Sequence, residues 1–359
     1  MRNLASIQQV TSVEPIANAD KIELAHVLGW QCVIKKGEHK AGDLVTYIEI
    51  DSIVPEKPEY EFLRDRKFRV RTIRLRGVYS QGLLIPAVPG YKIGDDVTEV
   101  LGIQKYDPQL LEEKAMEPST KAVSKWFKPF MRFSLARKIY FWINKPPSNN
   151  FPEWLPKTDE TRIQSIASIL ARLVGALCYS AEKVDGCSAT YCIVARRTWY
   201  GVIKPVFMVF SRNVNVTRNK GCLYLRIADQ YGLKEKLLNM YAQMGPCAVQ
   251  GEIIGEKVQG NKYSLSGYEF RPFNFFTKAL GKAPLSTLDA VCTTLGLKIV
   301  PILDANLDMT TATVESLVKY ASRKSTLADV PAEGVVIRTQ DQSVSFKVIN
   351  PEFLVKYDA

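Results

Sequence analysis

Apolar and polar residues alternate through Leu44-Val45-Thr46-Tyr47-Ile48-Glu49-Ile50 and again from Phe68 to Leu75, the two-residue period of a half-buried strand. Gly29, Gly37, Gly42, Pro55, Gly77, Gly82 and Pro86 punctuate the runs. About five short strands within residues 1–104, with few helical periods, predict a small β-barrel. The run Lys67 to Arg76 predicts one strand with Arg69 and Arg71 on one face and Arg74 and Arg76 on the other. It reads either as a solvated edge or as a phosphate-contacting surface.

Further along, the period changes. Ile166, Ile169, Leu170 and Leu173 share a helical face, as do Leu288, Val291, Cys292 and Leu295; the second helix starts after Ser286 and stops at Gly296. Between them lie extended runs at Thr190–Val194 and Val206–Phe210. The pattern predicts an α+β domain with antiparallel sheets over residues 156–359. Residues 105–155 read as a connector. From Pro118 to Phe151 it is basic and aromatic with no acidic residue, and Trp126 to Lys145 could form a basic amphipathic helix, packed on a neighbouring domain or set against nucleic acid or a membrane surface.

Composition narrows the class. No apolar run is long enough to cross a membrane as a helix, and the first residues lack an apolar signal region. Seven cysteines, an odd number without a CxxC pair, suit reduced thiols in the cytoplasm or nucleus and exclude a disulfide framework or zinc ribbon. The only histidines are His26 and His39, so histidine chemistry is excluded from the rest of the chain. The net charge of +11 is uneven: residues 1–104 are neutral, 105–165 carry +4 and 166–359 carry +7. The excess in the middle and C-terminal parts points to a polyanionic substrate, or to a basic surface with no partner.

The candidate chemistry begins at Glu182-Lys183-Val184-Asp185-Gly186. A lysine can act as a nucleophile once deprotonated, and a carboxylate two residues on can position a metal that helps. Alone, this pattern equally describes a surface turn. After it, in order, come Ser211-Arg212-Asn213, Glu252 between Gly251 and Gly255, four phenylalanines between Phe270 and Phe276, Glu333 opening an apolar run, and Lys347 near the C-terminus.

This ordered series resembles the covalent nucleotidyltransferase superfamily of ATP-dependent ligases and capping enzymes. The N-terminal barrel, placed before that domain and including Arg76-Gly-Val-Tyr-Ser-Gln-Gly-Leu83, is similar to the OB domain of the Deinococcus- and Naegleria-type RNA ligases. The resemblance implies an OB-type barrel at 1–104, a linker at 105–155 and an antiparallel-sheet, ATP-grasp-like ligase adenylation domain at 156–359. It implies Lys183 as nucleophile; Asp185, Glu252 and Glu333 as carboxylates holding Mg2+ or Mn2+; and Lys347 as the lysine that neutralises the triphosphate. Gly186, Ser188, Arg212 and Phe273 would meet the nucleotide, Phe273 by stacking on the purine. Arg162 and Gln164 would join them from Leu155–Gln164, similar to a segment near the adenine. Arg212, Asn213, Arg74 and Arg76 would touch RNA. The implied activity joins 3′-OH and 5′-phosphate RNA ends, in nicked duplexes, through lysyl-AMP and RNA-adenylate, by a monomer with no stable protein partner and no membrane. A DNA ligase or guanylyltransferase is opposed by the 12 residues after Lys347, too few for a C-terminal OB domain. A non-catalytic OB-type RNA-binding protein is opposed by the intact lysines and carboxylates. Two positions depart from the family pattern. The second lysine of its final K-x-K is Ile349, with Arg338 a possible substitute or Ser345 the missing member, and the ribose-contacting position is Ser188.

Overall fold

The computed structural model describes residues 3–106, 134, 151–198, 200–212, 214–219 and 221–357. Most of the expected connector, including the stretch 126–145 except Ser134, lies outside the described residues. Two compact units result. One comprises 1–107, 159–184 and 301–359, the other 108–158 and 185–300.

The N-terminal strands are β1 (Ala5–Pro15), β2 (Ile22–Val27), β3 (Trp30–Lys35), β4 (Leu44–Ile48), β5 (Ser52–Ile53), β6 (Arg69–Val70), β7 (Thr72–Leu75), β8 (Val78–Gln81), β9 (Leu83–Pro86) and β10 (Gln104–Lys105). Five form an antiparallel sheet in the order β3-β2-β1-β4-β9. The long β1 serves two neighbours: Ala5–Gln9 pair with β4 and Val10–Pro15 with β2, with a register shift between Val10 and Ser12. Such a bulge bends a strand and lets a sheet curl. The strand expected from Phe68 to Leu75 is divided. Its first part pairs with β5 and its second with β8, because Arg69 is drawn to Asp51 at 3.1 Å while Arg76 and Gly77, both at positive φ, turn the chain back as a two-residue hairpin loop.

After β11 (Cys178–Lys183) the chain enters the second unit with β12 (Cys187–Arg197), β13 (Ile203–Phe210), β14 (Cys247–Gly255), β15 (Tyr268–Thr277) and β16 (Gly281–Lys282). They form one antiparallel sheet in the order β13-β12-β14-β15-β16. Alternation along the strands supplies two apolar faces. Tyr191, Ile193, Val249 and Phe275 pack under α1 (Leu223–Gln230), α2 (Leu233–Met244) and α3 (Leu285–Leu295); Cys192, Val194, Met208 and Phe210 pack under Phe151, Trp154 and Leu155. The α3 helix follows the expected periodicity and ends at Gly296, in the left-handed conformation at φ 70°.

The first unit is completed by β17 (Ile302–Leu307), α4 (Val314–Ala321), β18 (Gly334–Thr339), β19 (Ser345–Ile349) and α5 (Pro351–Tyr357). Its second major sheet has the order β17-β11-β18-β19. The helix expected through Ile166–Leu173 is a 3-10 helix, Ile163–Arg172, kinked at Ile166 (φ −131°, ψ 34°); Ile163 and Leu173 are buried with Leu317, Val335 and Phe346. Along β19, Phe346 and Val348 enter this core. Ile349, together with Leu354, instead joins the barrel residues Val10, Val27 and Trp30. Gly29 donates its N–H to the carbonyl of Gln164 at 3.0 Å, and a Cβ on Gly29 would stand 2.8 Å from the Cα of Gln164.

Removing residues 1–104 would thus expose Ile349 and Leu354, each worth about 1.5–3 kcal/mol when buried. A chain starting near Asn150 is expected to melt well below the full protein and to adenylylate poorly. A circular-dichroism melt beside an ATP-labelling assay checks this, and a wild-type melting curve would contradict it.

Candidate active site

The strand ends at Lys183 place that lysine opposite Gly334 across the β11–β18 ladder. This brings its Nζ to Oε1 of Glu333, the residue before β18, at 2.6 Å. The close approach needs a glycine at 334: φ is +154°, and a Cβ there would lie 2.1 Å from the carbonyl of Val348. Glu333 Oε2 is buried with no hydrogen-bond partner. The carboxylate is also held through its backbone, since Asn350 donates its N–H to the Glu333 carbonyl at 2.9 Å and its side chain bonds the Ala332 carbonyl at 3.1 Å. Beside Lys183, the buried Glu182 accepts hydrogen bonds from Ser325 Oγ, from Thr326 N at 2.8 Å and from Thr326 Oγ1 at 2.6 Å.

Lys347, on β19, donates to Asp159 at 2.8 Å. Burial pulls its pKa down to about 8, the charges of Arg162 and Lys183 push the same way, and Asp159 opposes them. Three cations are therefore close enough to work against one another, an arrangement that bound phosphates relieve. Arg162 is itself buried. Its Nη2 donates to Asp51 of the barrel at 2.7 Å, whereas Nε and Nη1 have no hydrogen-bond partner. Gln164 is buried too, with its Oε1 unsatisfied. Arg338 is taken by Glu160 at 3.1 Å and by Ser345 Oγ at 3.1 Å. Ile349, which stands where the resemblance puts the second lysine of the K-x-K pattern, has its side chain in the barrel core.

The second unit carries the remaining candidates. Asp185 is ion-paired with Lys262, and its N–H donates to the Tyr263 hydroxyl at 2.8 Å. Gly186 is needed by the protein itself, since a Cβ would stand 2.4 Å from the carbonyl of Ile253. Glu252 lies directly across the ladder from Ser188, whose hydroxyl shares a 2.9 Å hydrogen bond with Thr158. Phe273 is the extra residue where the β14–β15 register shifts between Gln250–Asn274 and Gly251–Pro272. A bulge re-aims a side chain, and Phe273 stays half-buried while Phe270, Phe275 and Phe276 enter the cores. Arg212 is half-buried after β13, and Asn213 lies outside the described residues. Arg74 and Arg76 are exposed on the β7–β8 hairpin, with Arg74 over the Tyr79 ring at 5.5 Å. Among the described residues, no three His, Cys, Asp or Glu side chains gather into a metal-holding group, and no helix is long and apolar enough to cross a membrane.

Sequence reasoning missed Lys262, Tyr263, Glu182, Asp159 and Asn350. Of these, Glu182 adjoins Lys183 and Asp159 lies within the Leu155–Gln164 segment, whereas Lys262 and Tyr263 carried no local signal.

A model of an OB-fold domain matches residues 4–87, and the RNA ligase family model matches residues 178–356. No curated protein sequence matches the chain. Among solved structures, Naegleria gruberi RNA ligase with PPi superposes with a TM-score of 0.79 at 30% identity, covering 100% of this chain and 99% of that one. A lysine variant of that ligase with ATP and Mn gives 0.78 at 30% identity over 99% and 98%, and a glutamate variant with AMP and Mn gives 0.78 at 29% over 99% of each. Its variants include a lysine and an aspartate two residues apart, and a glutamate and a lysine fourteen apart; Lys183 and Asp185, and Glu333 and Lys347, have those same separations. With sequence identity at this level over the whole length of both proteins, the chain belongs to the RNA ligase family.

Proposed function

We propose that this RNA ligase uses ATP and a divalent ion to join a 3′-OH to a 5′-phosphate in nicked duplex RNA. The observation that carries the reading is the Lys183 ammonium held on Glu333, with Lys347 and Arg162 acting on the same region of charge. In the first step Lys183 Nζ attacks the α-phosphorus of ATP; a P–N bond forms, the bond to pyrophosphate breaks, and the lysine loses a proton. The 5′-phosphate of the RNA then attacks the same phosphorus, returning the lysine and forming RNA-adenylate. Attack by the 3′-OH on that 5′-phosphorus expels AMP and closes the strand. Every step is a displacement at phosphorus, so positioning and charge neutralisation supply most of the rate.

The buried, unsatisfied Oε2 of Glu333 fits a hydrated divalent ion, which needs only one or two carboxylates and keeps several waters. Glu333 would hold it through water, with Asp185 and Glu252 the other carboxylates that the family resemblance proposes as ligands, and it would supply charge that favours the neutral form of Lys183 and neutralises the α-phosphate. Phe273, Gly186, Ser188 and Gln164 would serve the nucleoside. Arg162 and Lys347 would serve the triphosphate. Arg212, Asn213, Arg74 and Arg76 would serve RNA. The reading keeps the protein a monomer in a reducing intracellular compartment, in keeping with an odd number of cysteines that includes no CxxC pair. Sealing of a labelled nick with 3′-OH and 5′-phosphate ends by ATP, compared with GTP and with a nicked DNA, tests it; preferential use of GTP or DNA would reverse it.

Two further outcomes are expected. Arg212→Ala should still form lysyl-AMP but seal a pre-adenylylated nick slowly, because an arginine fork holds phosphate in two places. Single-turnover sealing beside a melting curve checks this, and a parallel fall of all steps with stability would mark a purely structural arginine. For Lys347, protonation is favoured by bound phosphate and is lost in the free protein as pH rises through about 8. Lys183→Ala removes one of the charges that depress Lys347, so ATP affinity of that protein should begin to fall somewhat above pH 8, by up to about tenfold per pH unit. Lys347→Arg, which stays charged, should flatten that profile in equilibrium titrations from pH 7 to 9.

A further inference from the structure

The β12–β13 ribbon runs past both cores of the second unit. Val194 is the last buried residue on β12; Ala195, Arg196 and Arg197, and then Tyr200 to Pro205, are exposed. The ladder continues through this projection, pairing Arg196 with Lys204 and Arg197 with Ile203. Residues directly opposite share a face, and like charges set there destabilise a sheet. Among the described residues Arg196, Arg197 and Lys204 have no ion-pair partner, and no acidic residue occurs between Ala195 and Pro205. Tyr200, Val202 and Ile203 are 52%, 49% and 64% exposed on the same projection, and Lys204 Nζ lies 5.7 Å from the centre of the Tyr200 ring.

β13 is the edge strand of its sheet, and a lysine and a proline there, Lys204 and Pro205, guard an edge against pairing with other chains. That need does not explain Arg196 set opposite Lys204 on the inner strand, nor three exposed apolar or aromatic side chains, Tyr200, Val202 and Ile203, within four residues. A repulsive pair kept on an exposed ribbon is relieved by an anion lying across it, and a ring with aliphatic neighbours suits the sugar and base faces of a strand.

We propose that the β12–β13 hairpin is an RNA-contacting arm, with Arg196, Arg197 and Lys204 on backbone phosphates and Tyr200 against the sugar-base surface. The inference rests on the RNA ligase reading and extends it to a surface outside the candidate active site. A polyribonucleotide is favoured over an acidic protein because the three cations are spaced along a flat ribbon whose phosphate contacts require no matching fold.

The test compares wild type, Arg196→Ala/Arg197→Ala/Lys204→Ala and a charge-matched control, Lys35→Ala/Lys36→Ala/Lys40→Ala, which removes three exposed lysines from the barrel. Binding to a nicked RNA duplex is measured from 50 to 250 mM salt, with ATP labelling of each protein as the check on folding and step one. The hairpin variant should label normally, bind RNA about tenfold to a hundredfold more weakly at 100 mM salt, and show a dependence on log salt shallower by about two units. The control should move much less. Equal losses in both triple variants would reduce the effect to bulk charge and overturn the proposal. Unchanged affinity and slope in the hairpin variant would overturn it as well and leave the ribbon to an acidic protein partner. A wild type that labels with ATP but binds and seals no RNA would sink the functional reading together with the arm.

Discussion

Lys183→Ala protein, incubated with radiolabelled ATP and manganese and then denatured, is expected to carry no label. In the proposed first step the side chain supplies the only atom that bonds to phosphorus, so the loss should be to background rather than partial. Lys183→Arg should fare no better, since a guanidinium stays protonated and cannot attack. The structure adds a qualification to the measurement. Alanine strips Glu333 of its 2.6 Å partner and leaves a half-buried carboxylate unpaired, so the variant should also melt somewhat earlier. Sealing of a chemically pre-adenylylated nick separates the two effects: it should persist, because the lysine has already done its work in that substrate. Persistent labelling of the alanine protein would place the nucleophile elsewhere.

Glu333→Gln should lower the rate of ATP labelling by about two orders of magnitude or more, the several kcal/mol expected when a carboxylate that positions a divalent ion is lost. Glutamine keeps the shape and can still accept from Lys183, so the melting temperature should barely change. Glu252→Gln should lower the rate in the same direction. Glu252 sits in the middle of the central β14 strand, across from Ser188 and Arg271, where an isosteric change disturbs little packing. Rates measured across a manganese titration decide the matter. Wild-type rates for both variants at saturating manganese would contradict a metal role.

The parts of this molecule that were legible in the sequence are those written in local patterns. The α3 helix was marked by its spacing of Leu288, Val291, Cys292 and Leu295 and by Gly296, and the cores of β12 and β13 by their extended runs. The series Lys183, Asp185, Glu252, Glu333 and Lys347 was proposed from a resemblance to the nucleotidyltransferase superfamily and not from local pattern, and of these the structure brings Lys183 against Glu333. What could not be read were partners fixed only by the fold. Asp51 and Arg162 are 111 residues apart, Asp185 and Lys262 are 77 apart, and nothing in either local stretch signals the other. The same long-range pairing explains the failed expectation at Phe68–Leu75, where the pull of Asp51 on Arg69 breaks a run that alternation alone would continue. The kink at Ile166 belongs here too: apolar spacing gave the correct buried side but could not reveal that Arg162 and Ser165 are tied down to the barrel at Asp51 and Glu49.

The placement of Ile349 and Leu354 in the barrel core bears on how the chain is made. Roughly 320 residues separate Trp30 from Ile349, and at a synthesis rate of about 5–20 residues per second the last pieces of that core emerge some 15–60 s after the first. The barrel strands are therefore translated well before the residues that close their core. Until β19 and α5 arrive, its apolar opening faces the surrounding solution, a window in which a chaperone or a neighbouring nascent chain competes for the seat that Ile349 will take. Its native contacts are also among the most distant in sequence, which slows the search for them after denaturation. Refolding of the intact protein is accordingly expected to wait on the return of the C-terminal segment, whereas every piece of the second unit, residues 108–158 and 185–300, precedes that segment in the chain.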